Sequence, residues 1–123
     1  MDGEIKLSPE AQQMLMELQA YQQQMQTVLL QKESLSIQQM ENSKALEELE
    51  KTTHDDVFKT VGPILIKSTK KILTEELKER QETIDLRLKS MQKQETRIRD
   101  KMKEAQDKLE EMLQAHGVKG TAE

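Results

Sequence analysis

The chain has 123 residues, of which 34% are hydrophobic and 34% are charged, and its net charge is −4. It contains no cysteine, which excludes disulfides, thiolate nucleophiles and sulfur-ligated metal sites. With one Tyr, one Phe and no Trp, it is too poor in large apolar side chains to fill an ordinary globular core.

The first long stretch without Gly or Pro predicts an α-helix over about residues 9–53. Ser8 can cap this helix, Pro9 suits its first position, and Glu10 favours the positive end of the helix dipole. Apolar residues recur at most of the a and d positions of a seven-residue repeat, which indicates a coiled coil rather than disorder. The a positions are Ala11, Leu18, Met25, Lys32, Gln39, Leu46 and Thr53, and the d positions are Met14, Tyr21, Val28, Leu35, Asn42 and Leu49.

The middle of the chain changes to a β-hairpin pattern over about residues 56–68. Two short runs rich in β-branched residues flank Gly62 and Pro63. Glycine supplies the positive φ that a type II′ turn needs at its first central position, and proline tolerates the second. An isolated two-stranded hairpin is marginally stable in water. We therefore expect it to join hairpins of other subunits through its apolar residues, which are Val57, Phe58, Val61, Ile64, Leu65 and Ile66.

A second heptad stretch predicts another helix over about residues 70–116. Its start is open between residues 69 and 74. An early start places Lys70 and Lys71 at the positive end of the helix dipole, whereas a start at Thr74 avoids this conflict. The a positions are Thr74, Gln81, Leu88, Glu95, Met102 and Leu109, and the d positions are Leu77, Ile84, Met91, Ile98, Ala105 and Met112.

The turn reverses the chain, so the two helices are expected to form an antiparallel coiled coil. Pairing positions whose numbers sum to 126 or 127 aligns the apolar seam residues of the two helices. The same pairing sets Lys32 opposite Glu95, two charged residues at seam positions. Either this pair fixes the register of the coiled coil, or both long side chains reach outward to water.

Apolar residues that the seam does not require collect near the two chain ends, which the turn brings to one tip. Exposed apolar surface usually marks an interaction site, and methionine adds flexible surface suited to varied partners. The alternative is that the frayed ends close over one another. Residues 117–123, after the second helix, are expected to form a flexible tail. The candidate binding residues at the tip are Ile5, Leu7, Met14, Leu15, Met16, Met112, Leu113 and Val118. A second outward set either widens this surface or contacts a neighbouring subunit, and it comprises Leu30, Ile37, Met40 and Leu86.

The sequence carries no motif for catalysis, metal binding or a cofactor. His54 and His116 are far apart, and the acidic residues alternate with Lys and Arg as on solvated helix faces. Without a phosphate loop or a nucleophile motif, neither an enzyme nor a cofactor is expected. The net negative charge argues against nucleic acid. No membrane span or signal segment is recognised, so we expect a cytoplasmic protein.

The chain resembles the beta class of the prefoldin family. The resemblance rests on ALEEL at residues 45–49, on VFKTVGPILI at 57–66 and on LTEEL at 73–77. It extends over nearly the whole chain, and a single hairpin matches the beta class rather than the alpha class. Pro63 departs from the family pattern, which usually has a polar residue after the turn glycine.

The resemblance implies a mainly α fold, in which a single β-hairpin joins a long antiparallel two-helix coiled coil and assembles into a β-barrel between subunits. It also implies a heterohexamer of two alpha and four beta subunits. Such an assembly binds non-native proteins at the coiled-coil tips without ATP and passes them to a group II chaperonin. The alternative is a structural coiled-coil scaffold or tether that recognises one folded partner.

Overall fold

The protein consists of two long helices joined by an antiparallel hairpin, as predicted. A computed structural model describes residues 7–115. Neither helix in this range has an apolar stretch long enough to cross a membrane. In chain order, the elements are α1 (Pro9–Lys51), β1 (Asp56–Val61), β2 (Ile64–Thr69) and α2 (Lys70–Ala115).

The chain packs as two units. Among the described residues, the terminal unit comprises 7–30 and 93–115, and the hairpin unit comprises Gln31–Gln92. Each unit contains one segment of α1 and one segment of α2.

The exposure of the helix side chains repeats with the predicted heptads. In α1, every a and d position from Ala11 to Leu49 is buried or half-buried, and nearly all other positions are exposed. In α2, the a and d positions from Thr74 to Met112 follow the same rule. The predicted seam is therefore confirmed, and it gives each unit a narrow core. The buried apolar residues are Ala11, Leu18, Val28 and Ala105 in the terminal unit, and Leu35 and Ile84 in the hairpin unit.

The start of α1 follows the predicted cap. The Oγ of Ser8 accepts a hydrogen bond from the backbone N–H of Ala11 at 3.1 Å. Pro9 is the first helical residue, where its missing N–H costs no helical hydrogen bond. The helix ends at Lys51, before the predicted end near residue 53.

The hairpin turn contains only Gly62 and Pro63, since Val61 pairs with Ile64 in the ladder. The φ angle of Gly62 is +57°, and no other residue in the described range has a positive φ. A type I′ turn needs positive φ at both central residues, which proline cannot adopt. The turn therefore has the φ signs of the predicted type II′ turn.

The start of α2 differs from the Thr74 start that the helix dipole favoured. The helix begins at Lys70, and the Oγ1 of Thr69 caps it by accepting a hydrogen bond from Ile72 N at 3.2 Å. The Lys70 ammonium donates to the carbonyl oxygens of Thr52 at 3.0 Å and Glu50 at 3.4 Å. It thus stabilises the negative C-terminal end of α1, which removes the predicted conflict with the dipole of α2.

Four polar side chains form a layer in the seam of the hairpin unit. Asn42 Nδ2 donates to Gln81 Oε1 and to the Leu77 carbonyl oxygen, both at 2.8 Å. Asp85 Oδ1 accepts hydrogen bonds from Gln39 Nε2 at 2.8 Å and from Gln81 Nε2 at 3.3 Å. We call Gln39, Asn42, Gln81 and Asp85 the polar layer.

The polar layer corrects the predicted register within the hairpin unit. The contacts of Asn42 with Gln81 and of Gln39 with Asp85 join positions whose numbers sum to 123 and 124, rather than 126 or 127. The predicted pairing set a against a and d against d. Instead, Asn42 at a d position meets Gln81 at an a position, because the two helices run in opposite directions and their layers are offset.

Candidate functional site

The hairpin has two faces with different surroundings. Residues paired directly across an antiparallel ladder share a face, and successive residues alternate between faces. Lys59 Nζ lies 2.9 Å from Glu76 Oε2 of α2, so the face that carries Lys59 is turned toward α2. This helix-side face comprises Val57, Lys59, Val61, Ile64, Ile66 and Ser68, and the outer face comprises Asp56, Phe58, Thr60, Leu65, Lys67 and Thr69.

The six apolar hairpin residues predicted to mediate assembly are accessible in the single chain. On the outer face, Phe58 is 62% exposed and Leu65 is 69% exposed. On the helix-side face, Val57 is half-buried and Val61, Ile64 and Ile66 are exposed. In the part of the chain that the structure describes, the sheet has two strands, so each strand also has one edge without a partner. Exposed apolar side chains beside unpaired strand edges are a template for pairing with another chain.

Two contacts fix the hairpin to its own helices. The backbone N–H of Lys70 donates to the Asp55 carbonyl oxygen at 2.9 Å, which closes the base of the hairpin. The ion pair of Lys59 with Glu76 joins β1 to α2, although both side chains are 45% exposed and the pair is worth less than about 1 kcal/mol. The hairpin is therefore held near its base and by one ion pair to α2, and most of its apolar side chains stay exposed.

The predicted tip residues fall into three groups. Leu15 and Met16 are exposed on α1 in the terminal unit, and Met16 is exposed to 68%. The side chains of Leu7, Met14, Met112 and Leu113 are half-buried. Ile5 and Val118 lie outside the described residues. Among the described tip residues, Leu15 and Met16 thus offer the largest apolar surface to a partner.

The predicted register pair joins residues of different units, since Lys32 belongs to the hairpin unit and Glu95 to the terminal unit. Glu95 is only 8% exposed, and its Oε2 accepts a charge-assisted hydrogen bond from Arg99 Nη2 at 2.6 Å. Lys32 is half-buried. Neither side chain is therefore fully extended into water, and the pairing of Lys32 with Glu95 stays a prediction.

The polar layer and the contacts of Lys70 were missed in the sequence. The available signal was Asn42, because asparagine at a single seam position commonly specifies the register of a coiled coil. Gln39 and Gln81 at a positions carried the same signal. Asp85 lies at an e position, outside the a and d positions of the seam. Its part in the layer depends on the contact with Gln39 of α1, which the heptad pattern of α2 alone does not describe.

The chain is similar to known proteins over most of its length. A family model described as "Prefoldin subunit" matches residues 12–116. The prefoldin subunit beta of Pyrococcus furiosus is 44% identical over 108 residues, which span 87% of this chain and 92% of that relative. The prefoldin subunit beta of Methanosarcina acetivorans is 38% identical over 109 residues, which span 88% and 93% of the two chains.

A solved structure has the same fold. The crystal structure of the prefoldin beta subunit from Thermococcus strain KS-1 matches with a TM-score of 0.79 and 38% identity, covering 86% of this chain and 94% of that chain. The family model, the identity to the archaeal relatives and the shared fold agree across the helices and the hairpin. The chain belongs to the prefoldin family, whose subunits are components of chaperones.

Proposed function

We propose that the chain is a beta-class subunit of a cytoplasmic prefoldin assembly, which captures non-native proteins without ATP and hands them to a group II chaperonin. The observation that carries this proposal is the exposure of Leu15 and Met16 on the terminal unit. The helix packing of that unit leaves these two side chains in contact with water, so they are free to contact a client.

The hairpin is proposed to provide the assembly. Its outer face exposes Phe58 and Leu65, and both of its strands have an edge without a partner. Pairing with hairpins of other subunits in a β-barrel would bury these side chains and complete the strand edges. The similarity to subunits named prefoldin beta supports alpha-class partners, in a heterohexamer of two alpha and four beta subunits.

Weak contacts at several tips explain how capture works without ATP. Burying one Leu or Met side chain contributes about 1.5–3 kcal/mol, which is too little for one tip to hold a client. When several tips contact the same unfolded chain, each additional contact is intramolecular, and the overall affinity rises sharply. Release remains fast because each contact is weak. Ile5, Leu7, Met14, Met112, Leu113 and Val118 are proposed to extend this surface.

Suppression of aggregation tests the role of the tip. The complex is assembled with an alpha-class subunit and mixed with two unrelated unfolded proteins. We expect Met16→Ser to weaken the protection of both, because it removes an exposed apolar contact. Leu29→Ser is the control, since Leu29 is 45% exposed on α1 and belongs to neither set of candidate binding residues.

Two outcomes would contradict the proposal. In the first, a complex that carries both Leu15→Ser and Met16→Ser protects the two unfolded proteins as well as the unaltered complex does, and the tip is then not the binding surface. In the second, the unaltered complex protects neither unfolded protein and instead binds one folded partner, and the chain is then a scaffold or tether.

A further inference from the structure

Three cations form an exposed ridge on α2 in the terminal unit. Lys93, Arg97 and Lys101 follow one another at intervals of four residues, and all three side chains are exposed. Residues four apart on a helix lie on the same side, about 6 Å apart along the axis. We call these three residues the basic ridge.

The three cations of the basic ridge form no ion pair in the described part of the chain, unlike some other lysines of the protein. Lys67 pairs with Asp56, and Lys103 pairs with Asp107. Within residues 7–115, the three side chains of the ridge form no ion pair or hydrogen bond with another residue. Their charges are therefore directed to solvent.

The neighbouring α1 segment does not compensate these charges either. Residues 18–30 of the same unit contain no charged side chain. On α2 itself, Asp100 and Glu104 lie three residues after Arg97 and Lys101 and offset part of their charge, whereas Lys93 has no acidic residue three or four positions away. A local excess of positive charge in a chain with a net charge of −4 favours a role in binding.

We propose that the basic ridge binds an acidic, extended segment of a non-native protein, an inference that rests on the proposed chaperone function. Alternate side chains of an extended chain point to the same side and lie about 6.6 Å apart. This interval is close to the spacing of about 6 Å between successive cations of the ridge. A segment with carboxylates at every second position can therefore meet all three cations in register.

Polypeptide suits the basic ridge better than nucleic acid does. Proteins that bind single-stranded nucleic acid combine cations with exposed aromatic side chains on which the bases stack. In the described part of the terminal unit the aromatic residue is Tyr21, which is half-buried in the seam. Within the described residues, the terminal unit therefore lacks the exposed aromatic side chains on which the bases of a single-stranded nucleic acid would stack.

Such a contact complements the apolar tip. Attraction between opposite charges acts over about 10 Å at moderate ionic strength and speeds the encounter of two molecules. Exposed ion pairs are individually weak, so they orient a client without preventing its release. Clients with acidic segments are then captured faster, and this advantage falls as salt increases.

Peptide binding to the assembled complex tests the inference by fluorescence anisotropy. One labelled peptide has acidic residues at alternate positions among neutral polar residues. A second has the same composition with its acidic residues contiguous, and a single-stranded oligonucleotide is the third probe. Each is titrated at low and high salt with the unaltered complex and with the ridge variant, which combines Lys93→Gln, Arg97→Gln and Lys101→Gln.

The control variant combines Lys71→Gln, Lys78→Gln and Arg80→Gln. It removes the same charge from exposed positions of α2 in the hairpin unit. We expect the ridge variant to bind the alternating peptide about tenfold more weakly at low salt, and the control variant to stay within about twofold of the unaltered complex. The contiguous peptide should bind more weakly than the alternating one.

Three results would overturn the inference. In the first, the ridge variant binds the alternating peptide as tightly as the unaltered complex does. In the second, the unaltered complex binds the alternating and contiguous peptides equally. In the third, it binds the oligonucleotide more tightly than either peptide, and this binding depends on the ridge. Suppression of aggregation is measured in parallel to separate the two proposals. Normal suppression without peptide binding rejects the ridge and leaves the chaperone function intact. Ridge-dependent binding without suppression rejects the chaperone function and leaves the ridge as a site for acidic polypeptide.

Discussion

Asn42 Nδ2 lies 2.8 Å from Gln81 Oε1 across the seam of the hairpin unit, and it lies 2.8 Å from the Leu77 carbonyl oxygen as well. Asn42 is only 4% exposed, and its own Oδ1 is buried and accepts no hydrogen bond from any residue in the range 7–115. A buried acceptor without a donor costs about 1–3 kcal/mol. The layer therefore lowers stability locally while it ties one position of α1 to one turn of α2, which is how a polar seam residue fixes register.

Asn42→Leu separates these two effects. We expect the free energy of unfolding of the assembled complex to rise by about 1–2 kcal/mol, because an unpaired acceptor is removed and apolar area is buried. We also expect more than one alignment of the helices, because Gln81 loses the donor that holds it. Thermal unfolding at fixed concentration measures the first effect. Since the chain has no cysteine, spin labels at Met40→Cys and Leu86→Cys measure the second as a broadened distance distribution.

Gln23→Leu is the control for Asn42→Leu. Gln23 is exposed on α1 in the terminal unit, so this change adds the same apolar side chain without touching the polar layer. We expect it to leave both the unfolding temperature and the distance distribution unchanged. One narrow distance distribution in Asn42→Leu would show that the polar layer does not fix the register.

The seam was predictable from the sequence because a repeat of seven reports which stripe of each helix is buried. Leu18, Val28 and Ile84 were assigned to the seam by spacing alone, and all three are buried. The turn was predictable for a similar reason, since Gly62 and Pro63 limit φ whatever surrounds them. Both are local properties that a residue keeps in any packing arrangement.

The register and the contacts of Lys70 were not predictable in this way. A heptad pattern describes each helix alone, and sliding one helix along the other leaves the pattern unchanged. Asn42 and Gln81 look like polar interruptions in the sequence, and their hydrogen bonds exist only in one alignment. In the sequence, Lys70 is a positive charge at the positive end of the α2 dipole, which is unfavourable. Its favourable contact with the carbonyl oxygen of Thr52 forms only after the hairpin has reversed the chain, and the sequence does not show it.

Lys70→Met tests the cap that α2 provides for α1. Methionine keeps most of the aliphatic stem and removes the donors to the carbonyl oxygens of Thr52 and Glu50. We expect the assembled complex to lose about 1 kcal/mol of unfolding free energy per chain, measured by urea denaturation at fixed concentration. Lys71→Met is the matched control, because Lys71 is the next residue and is exposed. Equal losses in the two variants would mean that the cap contributes nothing.

Gly62→Ala tests the backbone of the hairpin turn. A Cβ at this position would meet nothing within 4 Å, so the cost comes from the positive φ of +57° and not from a clash. We expect a loss of about 1–2 kcal/mol in the stability of the assembled complex. Gly62→Asn should recover part of this loss, since asparagine is accepted at positive φ in hairpin turns. If alanine and asparagine behave alike, positive φ is not what this turn requires.

Leu65→Ser tests whether the outer face of the hairpin mediates assembly. Leu65 is 69% exposed in the single chain, so its replacement costs the isolated subunit little. If assembly buries Leu65, each hairpin loses about 1.5–3 kcal/mol, and the loss is repeated in every copy of the chain within the complex. We therefore expect native mass spectrometry with an alpha-class partner to show dissociated subunits for Leu65→Ser. Leu29→Ser is the control, because Leu29 is 45% exposed on α1, outside the hairpin, and belongs to no candidate interface. We expect it to assemble normally, and an intact complex with Leu65→Ser at the same protein concentration would show that the outer face is not an interface.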